Sequence, residues 1–475
     1  MHTTRFVIED IGFAERDVAL RLPFRFGSAT VRACPQAYAT ARIRLEDGST
    51  ATGCAAEMMI PKWFDKSPEL TQAQNFDQLR DALILAREAY RSDAMPDTAW
   101  GHFARHYHDL HRAAAQRGVP ALVASYGPAL VDRAVFDALC RALGTSFGVA
   151  MSANAAGMRV DRTGLADDLR GFDLDAFLAA HPASLAGRKV AARHTVGLAD
   201  ALVDPLPDSP DDGLPCSLTQ AITRYGHQHF KLKLSGDPQT DIARLADITP
   251  VIRDVMRLVT FDGNEQYRDA AHLAEFLDRF ESHPGLAPLR TCLAFVEQPL
   301  ARAHALDADV SALGLRVPLL VDESDATLDA FPRARTAGYT GISSKSCKGF
   351  YKSVLNAARC AVWSRESGRD YFLSGEDLTM QAGLGIQQDL ALVGWLGLTH
   401  VERNGHHYVN GLAAVPDAEQ QGLLTQFPAL YERSNGAVRL HIKNGQIDLS
   451  DLDCPGFATG TATGHVSWDA MRSTY

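Results

Sequence analysis

Between residues 230 and 345, five short apolar runs each break off into charge or amide. The first is Phe230-Lys231-Leu232-Lys233, and the second carries Asp262-Gly263-Asn264. The third ends in Glu297-Gln298-Pro299, the fourth in Asp322-Glu323-Ser324, and the fifth in Ser343-Ser344-Lys345. One acidic residue at a strand end is most often a helix N-cap or a solvated charge. Three at successive strand ends offer hard oxygen donors to one divalent cation, with magnesium, which takes about six oxygens, the best match. Asp262, Glu297 and Asp322 are the expected ligands, and a substrate carboxylate and water would complete the shell. Asn264, on the strand face of Asp262, is placed to orient a ligand or substrate. Glu323 faces away from Asp322 unless the chain turns there, and it could hold one of the lysines.

Lys231 and Lys233 are two apart and so share one face of a strand. Like charge nearby lowers a lysine pKa, which would bring a neutral general base within reach near neutral pH. Lys345 falls four strand slots later, across a closed barrel from the pair. A cation between opposed lysines suits removal of the weakly acidic proton beside a carboxylate, because the cation stabilises the enediolate that forms. One lysine takes the proton. The other returns it on the opposite face, protonates a leaving group, or steadies the developing charge.

These residues need a scaffold that brings strand ends together. The charged ends recur roughly every 25 to 35 residues, about one strand plus one helix. Residues 189–196 read as a first strand, 370–374 and 399–403 as the seventh and eighth. Helical patterns lie between, at 241–255, 270–280, 326–337, 353–365 and 380–396. The pattern predicts an α/β protein with a parallel β/α barrel, whose strands all end on one face. Ahead of it, residues 3–57 read as strands around a Glu46-Asp47-Gly48-Ser49 hairpin, with a mobile loop at 22–28. Residues 70–145 read as helices, notably 76–90 and 129–143. Residues 146–188 look irregular, 203–215 form a proline-rich loop, and 438–449 look like a hairpin that folds back on the N-terminal part. The apolar segment Met58-Met59-Ile60-Pro61-Lys62-Trp63-Phe64 is of the kind that covers something. Trp63 and its neighbours would meet an apolar part of the substrate, and Arg25 a second anionic group.

The chain of 475 residues has a net charge of −10 and no basic run, which argues against a nucleic-acid partner. No apolar stretch is long enough to span a membrane, and the N-terminus lacks an apolar signal core, so the cytoplasm is the expected location. Eight scattered cysteines without CxxC spacing read as reduced thiols rather than a disulfide frame or zinc site.

The ordered set Lys-x-Lys, Asp-x-Asn, Glu-Gln-Pro, Asp-Glu-Ser and Lys-Ser-Cys-Lys-Gly resembles the strand-end motifs of the enolase superfamily, and most closely its muconate-lactonizing subgroup within the mandelate racemase/muconate lactonizing group. The resemblance implies a (β/α)7β TIM-like barrel with an α+β capping domain. It divides the chain into a cap at 1–145, a barrel at 146–405 and a C-terminal return to the cap at 406–475. It also implies Mg2+, a small-molecule carboxylate substrate and a homo-oligomer. Within it Lys233 is the base, Lys231 its modulator, and Lys345 the opposed acid/base. Racemisation or epimerisation, cycloisomerisation and dehydration share the first step.

The chain departs from that pattern in places. The seventh strand leads to Ser374-Gly375-Glu376-Asp377 with no histidine, leaving Glu376 as a supporting group. The eighth reads His400-Val401-Glu402-Arg403-Asn404 rather than Asp-x-Asp, which speaks against dipeptide epimerisation. Cys347 and Lys348 have no assigned role. Two rival readings stand beside this one. His227-Gln228-His229 is the type of His-x-His pair that opens a metal-dependent amidohydrolase, and a non-catalytic binding protein could share the fold. His406-His407 reads as a surface or loop pair.

Overall fold

Three antiparallel strands open the chain, β1 (Phe6–Phe26), β2 (Ala29–Leu45) and β3 (Thr50–Met58), ordered β1-β2-β3. The computed structural model describes every residue except 1, 2, 28, 93, 162, 163, 461–465, 474 and 475. The Asp-Gly hairpin forms as expected: Asp47 accepts from the Ser49 amide, and Gly48 takes a positive φ of 86°. The loop expected at 22–28 is instead the end of β1. Phe24, Arg25 and Phe26 pair with Val31, Thr30 and Ala29 beyond a register shift after Ala19, and residue 28 lies outside the described residues. The reason is visible in the pattern: Phe24 and Phe26 are buried and Arg25 between them is exposed, the period-two alternation of a strand.

Helices α1 (Gln72–Arg91), α2 (Ala99–Gln116) and α3 (Ala121–Ala142) cover this sheet. Thr71 and Gln74 cap α1 reciprocally. Helix α3 is buried along most of its length because it packs between the sheet and its sister helices. Two glycines permit that closeness. A Cβ on Gly53 would come within 2.3 Å of the α3 backbone at Ala134, and one on Gly127 within 2.0 Å of the α1 carbonyl of Ala82.

Residues 146–188 are less irregular than expected, holding α4 (Phe147–Ser152) and α5 (Leu174–Ala179), each capped by a polar side chain, Ser146 and Asp173. The barrel follows. Its parallel strands are β4 (Lys189–Val196), β5 (His229–Lys233), β6 (Leu258–Asp262), β7 (Leu293–Glu297), β8 (Leu319–Val321), β9 (Gly341–Ser344), β10 (Phe372–Gly375) and β11 (His400–Arg403). Strand β11 pairs with β4, which closes the ring. The connecting helices are α6 (Leu218–Tyr225), α7 (Pro238–Ile252), α8 (Ala270–Ser282), α9 (Ala287–Cys292), α10 (Ser311–Gly314), α11 (Ala330–Ala337), α12 (Phe350–Ser367) and α13 (Leu384–Trp395). The α10 connection is a single turn, so this unit lacks a full outer helix.

After β11 come α14 (Gly405–Tyr408), α15 (Asp417–Gln426), a small hairpin of β12 (Tyr431–Ser434) and β13 (Ala437–Leu440), and β14 (Gln446–Asp448). Of the hairpin expected at 438–449 only the tight turn forms, Lys443 and Gln446 exchanging backbone bonds around Asn444-Gly445. Strand β13 pairs backwards with β12, and β14 joins the barrel itself, antiparallel to β4. Both halves of that segment found better partners than each other. The C-terminal segment meets the N-terminal layer on both sides of this stretch: Val409 bridges to Leu20 before it, and after it Gly456 donates to the Thr145 carbonyl and the Glu15 and Arg472 backbones bond to each other. Among the described residues no helix is long and apolar enough to cross a membrane. All eight cysteines are free.

Candidate active site

The barrel register sets Lys233 beside Asp262 and Asp262 beside Glu297 at the ends of β5, β6 and β7. Side chains two apart on β5 both turn inward. Lys231 Nζ lies 3.0 Å from Asp262, 2.7 Å from Glu297, 2.8 Å from Glu376 and 3.0 Å from Glu402. Lys233 Nζ donates to Asp262 Oδ2 at 2.6 Å. On the opposite strand, Lys345 Nζ donates to Asp322 Oδ2 at 2.6 Å. In an eight-strand ring β5 and β9 are four positions apart, so the lysines face each other across the barrel. All of these side chains are buried.

The electrostatics differ from the expectation of a lysine depressed by its neighbour. Burial pulls the Lys231 pKa down, but Asp262, Glu297, Glu376 and Glu402 outweigh it and hold the ammonium well above its ordinary value. Burial likewise opposes charge on Lys345, and Asp322 overrides it, so that pKa also rises. Burial would raise Asp322, yet Lys345, Lys348 and Lys231 hold its carboxyl far below the usual range. Glu297 goes the other way. Burial, Asp262 and Glu376 push it well up against the single pull of Lys231, and neither of its oxygens accepts a hydrogen bond. Among the described residues, Asp262, Glu297 and Asp322 do not form a set whose ligand atoms all lie within 4.8 Å of one another.

Side chains next to these acids explain the motif spacing. Gln298 Oε1 accepts from the backbone N–H of Asp322 at 2.8 Å and of Ser324 at 3.1 Å, while its Nε2 donates to Ser324 Oγ at 2.7 Å. Glu-Gln-Pro on β7 therefore holds the end of β8 in place. Asn264 sits past the strand at φ 41°, gives its N–H to Asp262 Oδ1 at 2.9 Å, and lines the cavity. The chain does turn after Asp322, and Glu323 is buried beside Asn264 Nδ2 at 3.3 Å. Its cation is Lys66, 3.6 Å away on the loop after β3, rather than a barrel lysine.

Above the lysines lies a narrow cavity of about 20 Å³, roofed by Phe24, Phe26, Ile60 and Trp63. The Trp63 ring centre is 4.2 Å from Lys345 Nζ and the Phe24 ring centre 5.9 Å from Lys233 Nζ. Arg302 fastens this roof: it donates to the carbonyls of Trp63 and Phe64, each at 2.8 Å, and pairs with Glu265 at 2.8 Å. Lys66 pairs with Glu265 as well and donates to the Asn264 carbonyl at 2.9 Å. A wider groove of about 510 Å³ at residues 205–224 contains none of the barrel acids or lysines and is open to solvent.

Of the eleven residues singled out in the sequence, Lys231, Lys233, Lys345, Asp262, Glu297, Asp322, Asn264 and Trp63 converge. Glu376 lies just below, pairing with Lys231 and Arg193. Glu323 is adjacent through Asn264. Arg25 does not take part, because strand alternation turns it to solvent while Phe24 and Phe26 point in. Sequence reasoning missed Glu402, Lys348, Arg302, Lys66, Phe24 and Phe26. Glu402 had a signal, its place at the end of the eighth strand slot. Lys348, 3.4 Å from Asp322 and 2.9 Å from Asp325, had its place in the Lys-Ser-Cys-Lys motif. Arg302 had none, because the two roof carbonyls it holds are 238 and 239 residues away.

The His-x-His pair does not form the metal centre of a hydrolase. His227 precedes β5 and bonds the Ala192 carbonyl, while His229 stacks over His400. His406 and His407 are buried rather than on the surface.

Residues 217–457 match the family model described as enolase C-terminal domain-like. The chain belongs to the enolase superfamily. Its solved relatives span nearly its whole length at low identity. A mandelate racemase/muconate lactonizing protein from Roseovarius nubinhibens aligns at 14% identity and TM-score 0.53, covering 95% of this chain and 99% of its own. The L-Ala-D/L-Glu epimerase of Bacillus subtilis aligns at 16% and 0.55, covering 95% and 98%. An enolase from Bradyrhizobium, complexed with magnesium and mandelic acid, aligns at 15% and 0.56, covering 96% of each. No curated protein matches the chain in sequence. The barrel and its cover are thus those of an enolase-superfamily enzyme of the mandelate racemase/muconate lactonizing type.

Proposed function

We propose that this chain is a Mg2+-dependent lyase or isomerase that removes a proton from the carbon next to a carboxylate. The observation that carries the reading is the pair of buried lysines on opposite strands, Lys233 and Lys345, flanking one cavity lined with carboxylates and each lying beneath an aromatic ring. Asp262, Glu297 and Asp322 would hold the cation. The donor chemistry fits: three hard oxygen ligands, of which Glu297 is buried among other acids, with Lys231 as its one cationic neighbour and Oε1 without a partner. Bound magnesium supplies the positive charge that makes an enediolate accessible. The Bradyrhizobium relative, complexed with magnesium and mandelic acid, supports both the cation and the substrate class.

In this reading Lys233 takes the α-proton, and Lys231, gripped by four carboxylates, sets the charge beside it. Lys345 carries its proton, as its contact with Asp322 favours, and delivers it from the opposite face. A small cavity roofed by Phe24, Phe26, Ile60 and Trp63 selects a carboxylate with an apolar body. Among the described residues no arginine lines it, so none of them is a dedicated partner for a second anionic group. Racemisation or epimerisation, cycloisomerisation and elimination all begin from this step.

The test is α-proton exchange in deuterated water with Mg2+ over a panel of α-substituted acids and unsaturated diacids, followed by NMR. We expect deuterium beside the carboxylate of at least one acid. Lys233→Ala should abolish exchange from one face and Lys345→Ala from the other. Absence of exchange across the panel, with magnesium bound, overturns the proposal.

A further inference from the structure

Outside the barrel wall three imidazoles meet at one point. On β4, Arg193 and Thr195 turn inward to Ser374 and Glu402, so alternation sends His194 outward. There it meets His227 from the segment before β5 and His406 from α14. His406 Nε2 lies 3.0 Å from His227 Nε2 and 3.1 Å from His194 Nδ1. These are the only three or more His, Cys, Asp or Glu side chains among the described residues whose ligand atoms all fall within 4.8 Å of one another. The rings are at most 8% exposed.

Hydrogen bonding alone cannot satisfy this arrangement. A neutral imidazole has one N–H and one lone pair. His227 Nδ1 faces the Ala192 carbonyl oxygen at 3.3 Å, an atom that only accepts, so the proton sits there and Nε2 presents a lone pair. His406 Nε2 must then answer both that lone pair and His194 Nδ1 with a single proton or a single lone pair. If it donates to one neighbour, the other is left without a bond. If it accepts, it faces the lone pair of His227. His406 Nδ1 has no partner in either case. Adding a proton to a ring does not resolve the conflict, because His406 Nε2 still has only one proton or one lone pair to share between two neighbours.

A cation does resolve it. We propose that His194 Nδ1, His227 Nε2 and His406 Nε2 form a zinc site that staples the seam where the barrel closes. Neutral imidazoles are good zinc ligands, and ligand nitrogens about 2.0–2.1 Å from the ion stand roughly 3.3 Å apart in a tetrahedral site, within a few tenths of an ångström of the two shorter spacings here. The His227 N–H on the Ala192 carbonyl is the outer-shell bond that fixes ring orientation in such sites. The slight exposure of His406 leaves a way in. The ligands come from both sides of the seam, His194 from β4 and His406 from the turn after β11, the two strands whose pairing closes the ring. Tyr408, two residues on, has its ring centre 4.5 Å from that of Phe24, which roofs the cavity. The staple thus also steadies one wall of the proposed active site.

Full-length protein stripped with a chelator is titrated with Co2+ alone, in excess Mg2+, and visible absorption is followed. The expected result is one Co2+ per chain with the intense bands of a tetrahedral nitrogen-ligated ion, displaced by Zn2+ and unaffected by Mg2+, which occupies oxygen sites. His406→Gln and His227→Asn should each weaken binding by at least 100-fold. Should either variant fail to fold, X-ray absorption on zinc-loaded wild-type protein decides: three imidazole ligands support the site, and an oxygen-dominated shell overturns it. Weak bands that Mg2+ abolishes would place the ion on the barrel carboxylates and also overturn it.

Discussion

A lysine two positions from another lysine shares its strand face, and that much follows from backbone geometry. Which charge dominates at Lys231 depends on Glu376 and Glu402, brought in from strands 145 and 171 residues later. Four carboxylates outweigh one ammonium, so the pKa rises where the local sequence predicts a fall. The same distance effect gives Gln298 its work. It touches no expected substrate atom, yet it holds the backbone of Asp322 and Ser324. Gln298→Ala should therefore weaken Mg2+ binding by about 10–100-fold, the range for groups that orient a ligand, with the fold intact. Calorimetric Mg2+ titration of wild type and variant measures it, and unchanged affinity refutes the role.

At the level of elements, the roof over the cavity depends on a loop after β3 that one arginine holds down. Arg302→Ala removes bonds to the carbonyls of Trp63 and Phe64 and leaves Glu265 with Lys66 and the backbone N–H of residue 302. Loss of charge-assisted bonds worth about 1.5–3 kcal/mol should raise KM about tenfold or more as the roof loosens. Arg302→Lys should recover only part of this, because a lysine cannot reach both carbonyls and the carboxylate. Steady-state kinetics on the acid found by exchange provides the measurement.

Helix packing yields a second element-scale prediction. Asp132 on α3 is fully buried and accepts from Tyr90 of α1 at 2.7 Å. Burial raises its carboxyl to about 8 from 3.8, against the hydrogen bond that lowers it. The folded protein keeps this proton over a range in which the unfolded chain has released it. The contribution of Asp132 to stability is therefore full below about pH 4 and is lost as the pH rises towards 8. Asp132→Asn should remove that slope and be the more stable protein at the alkaline end, as read by denaturant midpoints across the range. An identical pH slope in the variant would refute the assignment.

Across the molecule, the N-terminal sheet and the C-terminal segment depend on each other. Arg16 on β1 makes two bonds to Glu419 on α15, at 3.0 and 2.8 Å, and both side chains are buried. Glu419→Ala strands a buried guanidinium, and breaking such a pair costs about 3–5 kcal/mol. A drop of that size in unfolding free energy is expected by denaturant titration; a change under 1 kcal/mol, roughly what an exposed pair contributes, would show the contact is solvent-screened.

The barrel was legible in the chain because each strand is a local event. An apolar run of four or five residues followed by a charged end and an amphipathic helix can be read without knowing what lies across the ring. So could the three acids and the two opposed lysine positions, since a parallel barrel puts every strand end on one face. Contacts between distant segments could not be read in this way. The end of β1 looked like a loop until β2 was seen beside it, and β14 looked like half of a hairpin until β4 proved the better partner. His194, His227 and His406 are more than thirty residues apart at the nearest, and only ring closure brings them to one point. Strand, turn and helix preferences are set by neighbours in the chain. Pairing partners, buried charge balance and ligand clusters are set by neighbours in space, which the order of residues does not list.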